Sequence, residues 1–293
     1  MDSIDVEHLQ SRIRQALEED IGVGDITAES VVDYNPHAQA EIIARQSGTV
    51  AGLDVAQLVF SSLGPPMDIV LKAVDGDHVT DGQRLLTIEG SGQTVLSAER
   101  TALNLLGRMS GIATLTRQYV DAVKDTDARI LDTRKTTPLW RDLEKYAVRC
   151  GGGTNHRMGL YDMVLIKENH IRWAGGIAKV LSQCFDEIGT DRRAIQIEIE
   201  VSTLKEIEQV LEFDVNRVLL DNMTPDQVRQ AVDMVRHKTA LEVSGGINLE
   251  TVRSYAETGV DYISVGALTH SPAAFDVSLL FKDSLVPPGE LSR

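Results

Sequence analysis

Residues Ile195 to Asp221 read IQIEIEVSTLKEIEQVLEFDVNRVLLD, and their pattern decides the fold. A short β-branched run ends at Glu200 and Val201. Thr203 with Glu206 then forms a capping box, in which each residue satisfies a free amide of the other at a helix start. An amphipathic stretch follows, and a second apolar run, NRVLLD, closes on Asp221. Strand, helix and strand joined by short links predict parallel neighbours. The unit repeats: Glu200, Asp221, Ser244 and Gly266 follow one another at intervals of 21, 23 and 22 residues. Thr224 with Gln227 around Pro225 makes another capping box, and Asn248 can cap the next helix, which stops at Gly259.

Upstream, ARILDT and DMVLIK read as two more strands of the same series. Between them Thr137-Pro138 predicts a helix start, with Leu139, Leu143, Tyr146 and Cys150 as the buried stripe and Gly151 as the stop. The N-terminal half has another rhythm. Val6, Leu9, Ile13 and Leu17 form one helical stripe, the turn-rich GVGDITAES follows, and AEIIARQSGTVAG, DIVLKAV and RLLTIEG read as short strands. VDGDHVTDGQRLLTIEG resembles the hammerhead of lipoyl or biotinyl carriers, but it lacks a lysine between two methionines, so strand scaffolding is the better reading. A long helical pattern from Leu96 to Val123 puts Arg100 on the same face as Leu96, Leu103 and Gly107. A charge on such a face calls for an ion pair, a snorkelling side chain or a ligand across an interface.

The chain of 293 residues has a formal net charge of −15 and ordinary apolar content. That balance argues against nucleic acid or an anionic membrane as partner. The polar start MDSIDVEHLQ and the lack of a long apolar run predict neither a signal peptide nor a membrane span. Two cysteines make no disulfide framework, so a reducing cytoplasm is expected. Within this acidic protein, Arg129 to Arg172 holds nine Lys/Arg against five Asp/Glu. A local cationic island suits a small anionic ligand.

The strand ends divide by charge. Arg134, Lys135, His156, Arg157 and Lys167 come early, and Glu200 and Asp221 follow. The glycine turns SGGI (244–247) and SVGALTHS (264–271) come last. In βα barrels the C-terminal strand ends form the catalytic face, and six strands all ending in polar groups exceed what capping requires. Arginine forks suit carboxylates. Amides at Gly245, Gly246, Gly266 and Ala267 can cradle a phosphate. Glu200 and Asp221 can bind magnesium or steady positive charge at a reacting carbon, their plainer role being salt bridges to neighbouring lysine or arginine. No spacing suits zinc, with His156 and His170 lacking close ligand partners. No Walker loop, GxGxxG or GxSxG is present.

The run TRKTTP…LEKYAV..GGG.NHR.GL.D..LIKENH closely resembles the quinolinate phosphoribosyltransferase family, and EDIGVGDIT, SAERTALNLL, IEIEV, VLLDN, SGGI and DYISVGALTHS extend the likeness. One departure is TTPLWR, where many members have a glycine after the proline. The resemblance implies an α/β sandwich of residues 1–112 and an incomplete βα barrel of residues 113–293, with the extreme C-terminus packing back on the first domain. It implies phosphoribosyl transfer from phosphoribosyl pyrophosphate to quinolinate, with decarboxylation, giving nicotinate mononucleotide. Lys135, Lys167, Glu200 and Asp221 would be catalytic. Arg134, His156 and Arg157, with Arg100 of the other subunit, would hold the diacid, Thr133 would also bind substrate, and Ser244, Gly245, Gly246, Val265, Gly266 and Ala267 would hold the 5′-phosphate. Mg2+ would sit on Glu200 and Asp221, directly or through water or substrate. It further implies a homodimer, or a higher oligomer built from it, in which Arg100 reaches the partner's site. The alternatives are a paralogue on this scaffold with another acceptor, and a barrel lyase or isomerase acting on a sugar phosphate.

Overall fold

The computed structural model describes residues 4–32, 38–189 and 195–282. The chain divides into two units, Met1–Thr114 with Pro272–Arg293, and Leu115–Ser271.

In the first unit, helix α1 (Val6–Ile21) starts where the Asp5 carboxylate accepts the His8 amide at 3.0 Å. It buries Leu9, Ile13 and Leu17, while Val6 of the expected stripe stays exposed. The GVGDITAES segment is more ordered than its turn-rich composition predicts: Asp25 accepts the Ala28 amide and starts the short helix α2 (Ile26–Val31). Then come β1 (Ala38–Ala44), β2 (Gly48–Thr49), α3 (Leu53–Ser61), β3 (Asp68–Leu71), β4 (His78–Val79), β5 (Arg84–Gly90) and the long α4 (Gly92–Val123). The main sheet is antiparallel in the order β12-β1-β5-β3, where β12 (Val277–Phe281) comes from the far end of the chain. Residues 283–293, the extreme C-terminus, lie outside the described residues. Gly107 and Gly111 on α4 are required by close packing. A Cβ there would meet the Phe275 and Ala273 carbonyl oxygens at 2.8 and 2.1 Å.

In the second unit, β6 (Arg129–Leu131), α5 (Arg141–Cys150), β7 (Met163–Ile166), α6 (Glu168–Ala174), α7 (Ile177–Ile188) and β8 (Gln196–Val201) are followed by α8 (Leu204–Val210) and β9 (Arg217–Asp221). The series ends with α9 (Pro225–Val235), β10 (Ala240–Ser244), α10 (Val252–Ala256), β11 (Tyr262–Ser264) and α11 (Ala267–His270). Six parallel strands lie in the order β6-β11-β10-β9-β8-β7. Among the described residues no ladder joins β6 to β7, so the barrel is open there, and Thr154 bridges Leu131 on that side of β6. Both expected capping boxes form, at Thr203/Glu206 and Thr224/Gln227.

Two local expectations fail. The helix after β6 begins at Arg141 rather than beside Pro138, because Thr137 spends its amide and hydroxyl on the Glu144 carboxylate (3.1 and 2.7 Å). Leu139 therefore lies in a turn, exposed, with φ of 68°. Asn248 accepts the Thr251 amide at 3.0 Å and shapes the turn before α10, whose N-cap is Thr251. Among the described residues no helix is long and apolar enough to cross a membrane.

Candidate active site

A cavity of about 770 Å³ opens at the C-terminal ends of β6 to β11. Its lining includes Thr133, Arg134, Lys135, His156, Arg157, Lys167, Glu200, Asp221, Ser244, Gly245, Gly246, Gly266 and Ala267. Six consecutive strands thus bring both charge groups and both glycine turns to one chamber. Gly245 and Gly246 have φ of 105° and 62°, and a Cβ on Gly245 would lie 2.2 Å from Asn222 Oδ1, so that turn needs glycine twice over.

Val265 and Arg100 do not line this cavity, and Arg100 is expected at the partner's site rather than this one. Val265 is buried, and its amide donates to the Leu131 carbonyl at 3.0 Å, so it is spent on the sheet rather than on a phosphate. Arg100 lies on α4 in the first unit with its side chain 64% exposed and Glu99 4.0 Å away, and the cavity is lined by second-unit residues only.

The arginines supply the anion-binding potential. Arg134 Nε and Arg157 Nε are both buried and have no hydrogen-bond acceptor. Arg157 donates through Nη1 to the Met163 carbonyl at 3.0 Å. Burial, and then the Arg134 charge, hold its pKa below the usual arginine range. Two guanidiniums that destabilise each other, with donors left over, favour an anion between them. At the ends of β7, β8 and β9, Lys167 Nζ meets Glu200 Oε2 at 2.8 Å, and Asp221 accepts from Asn222 Nδ2 at 2.8 Å.

His156 lines the cavity but does not act as a cation. Its Nδ1 accepts the Arg157 amide at 2.7 Å, which leaves the ring proton on Nε2. Nε2 faces Glu198 at 3.0 Å and Glu242 at 3.6 Å. Burial also lowers the imidazole pKa. With Nδ1 accepting, the ring is neutral, and Nε2 lies close to Glu198 without a hydrogen bond to it, both Glu198 oxygens being left without a partner. His156 therefore has close acidic neighbours, contrary to its reading as a residue without potential ligand partners. An Nε2 that carries a proton presents no lone pair to a metal.

The acidic layer beneath the site was missed from the sequence. Leu165, Leu219, Glu242 and Ser264 line the cavity, each two residues before a rim position, and Glu198 occupies the same level of β8. Glu242 accepts from Arg217 Nη1 at 2.7 Å and from the Ser264 hydroxyl, and its pKa is pushed up to about 7, chiefly by burial. Burial raises Glu198 likewise. The available signal was period two: in QIEIEV, LEVS and YISVG the residue two before a rim position points into the same interior. Asn222, Ile247 and His270 complete the lining.

The open parallel barrel, with an anion chamber at its C-terminal strand ends, places the protein among barrel enzymes acting on polyanionic substrates. The chain belongs to the quinolinate phosphoribosyltransferase family: the family's C-terminal domain profile matches residues 112–280 and its N-terminal domain profile residues 25–110. Quinolinate phosphoribosyltransferase [decarboxylating] 1b of Nicotiana tabacum is 39% identical over 287 residues, covering 92% of this chain and 81% of the relative. A probable nicotinate-nucleotide pyrophosphorylase [carboxylating] of Bacillus subtilis (strain 168) is 40% identical over 261 residues, covering 89% of each. The solved nicotinate-nucleotide pyrophosphorylase from Francisella tularensis aligns with a TM-score of 0.91 at 39% identity, covering 96% of this chain and 98% of that one.

Proposed function

We propose that this enzyme joins quinolinate to phosphoribosyl pyrophosphate, releasing pyrophosphate and carbon dioxide and leaving nicotinate mononucleotide. The observation that carries the proposal is the pair of unsatisfied Nε donors on Arg134 and Arg157 in one cavity with Glu200 and Asp221. Quinolinate has two adjacent carboxylates, and the arginine pair supplies matching forks.

The rest of the lining suits the donor. Lys135 and Lys167 face phosphate and pyrophosphate charge, and the Gly245-Gly246 and Gly266-Ala267 turns suit the 5′-phosphate. Departure of pyrophosphate leaves an electron-poor ribosyl carbon, which the Glu200 and Asp221 carboxylates stabilise electrostatically. The pyridine nitrogen is a weak nucleophile, so positioning carries much of the rate. Once ribosylated, the ring is cationic and accepts the electron pair as the neighbouring carboxylate leaves, so decarboxylation follows transfer. A proton then takes the vacated ring position.

Two carboxylates on adjacent strands fit a hard divalent cation, so Glu200 and Asp221 would hold Mg2+ directly or through substrate oxygens. When bound, it supplies neutralisation of pyrophosphate charge. The largely exposed Arg100 supports a homodimer in which this side chain enters the partner's site.

A coupled assay for nicotinate mononucleotide tests the reaction, with quinolinate and then nicotinate as acceptor. Product from quinolinate alone, with matched pyrophosphate and carbon dioxide, is the expected result. Equal use of nicotinate, or full-rate carbon dioxide release without the phosphoribosyl donor, would overturn it.

A further inference from the structure

One buried ion pair in the barrel takes no part in the steps above. Lys145 on α5 and Asp132 just after β6 are fully buried and in direct contact. Asp132 accepts the His156 amide at 2.8 Å and Asn155 Nδ2 at 2.6 Å. Lys145 Nζ donates to the His156 carbonyl at 2.9 Å, and Asn155 Nδ2 also reaches the Lys145 carbonyl at 2.8 Å. The ion pair thus grips residue 156 by both its amide and its carbonyl.

The chain order makes this grip consequential. Asp132 leads directly into Thr133, Arg134 and Lys135, and His156 leads directly into Arg157. The two cationic arms of the cavity therefore spring from one anchored point. Burial pushes the Asp132 carboxyl up and the Lys145 ammonium down, each against the attraction of its partner. A buried pair costs desolvation that an apolar pair of similar volume avoids, so it is weak evidence for stability. What it does supply is direction, because three hydrogen bonds with residues 155 and 156 converge on its charged groups.

We propose that Asp132 and Lys145 are positioning residues that set the spacing of Arg134 and Arg157, and with it the preference for an acceptor bearing two adjacent carboxylates. This rests on the quinolinate reading of the same cavity.

The test is Lys145→Met, with quinolinate and pyrophosphate as calorimetric probes and the Michaelis constants of both substrates measured alongside. Quinolinate affinity should fall at least tenfold, while pyrophosphate affinity and the Michaelis constant of the phosphoribosyl donor, which rest on Lys167 and the glycine turns outside these arms as well as on Lys135, change less than threefold. Unchanged quinolinate affinity, or equal weakening of both probes, would overturn the proposal, since a merely structural pair disturbs the sites alike. If Lys145→Met fails to fold, Asn155→Ala removes the bonds to Asp132 and the Lys145 carbonyl, together with the one from Arg149, and leaves the ion pair itself in place. It should weaken quinolinate at least threefold with pyrophosphate spared, and no loss refutes the clamp. A wild-type protein that binds no quinolinate refutes the functional reading instead, whereas tight wild-type binding untouched by the variants refutes the clamp alone.

Discussion

Lys167 Nζ lies 2.8 Å from Glu200 Oε2, joining the cationic and anionic halves of the cavity rim across neighbouring strands β7 and β8. Half of the lysine side chain is exposed, so the contact adds little stability. A phosphorylated substrate can compete for the ammonium, and the carboxylate is then left facing the ribosyl carbon.

Arg100→Ala and Lys167→Ala should each lose most activity. Mixed and reassembled, they should recover about a quarter of the wild-type rate, since half of randomly paired dimers are mixed and each holds one intact site of two. Activity of mixtures after subunit exchange measures this. No recovery in demonstrated mixed dimers would contradict a shared site.

Arg134→Ala should weaken quinolinate binding by ~2–5 kcal/mol, the usual loss when a buried charge is left without its partner. At the lower end that is roughly 30-fold. Calorimetry with quinolinate reads the loss directly, and unchanged affinity would reduce the arginine to a structural role.

Glu242 predicts a pH dependence of stability. Burial and the Glu198 charge raise its pKa from 4.5 to about 7, opposed by the Ser264 hydrogen bond and the Arg217 charge. The folded state therefore keeps a proton that the unfolded chain has released between those values. This stabilisation is full below about pH 4.5 and is lost as pH rises through about 7, a change of roughly 3 kcal/mol. Melting temperature should fall between pH 5 and 8, and fall less in Glu242→Gln. Parallel curves would contradict the assignment, because general repulsion in this acidic chain acts on both proteins.

Leu139 occupies the left-handed region at φ of 68°, at the position where the sequence departs from the glycine expected after Pro138. A side chain there costs roughly 1–2 kcal/mol, and glycine returns about 0.5–1 kcal/mol of that in chain entropy. Leu139→Gly should therefore stabilise by about 0–1.5 kcal/mol, and the β-branched Leu139→Val should destabilise by about 1 kcal/mol, both read by urea unfolding. A glycine variant clearly less stable than wild type would contradict the strain.

The parallel barrel was legible because its units repeat at nearly constant length, with capping boxes at Thr203 and Thr224 marking helix starts. The rim was legible because its polar residues stand at strand ends, where packing does not call for them. Counting charge in the cationic island misjudged its interior: Lys145 is buried against Asp132, and Arg141 is spent on Thr136 and the Met158 carbonyl. His156 read as a cation because a sequence does not show which amide meets Nδ1. Glu198 and Glu242 were passed over because a carboxylate inside an apolar strand looks the same whether it points inward or outward. The period-two alternation counted back from Glu200 and Ser244 settles that.

The most direct measurement of the central claim is quinolinate titrated into the protein and into Arg134→Ala/Arg157→Ala by calorimetry, with nicotinate in parallel. Two arginines built for two carboxylates predict tight binding of the diacid, much weaker binding of the monoacid, and loss of that preference in the double variant. Equal affinities for the two acids in the wild-type protein, or a preference that survives without either guanidinium, would contradict it.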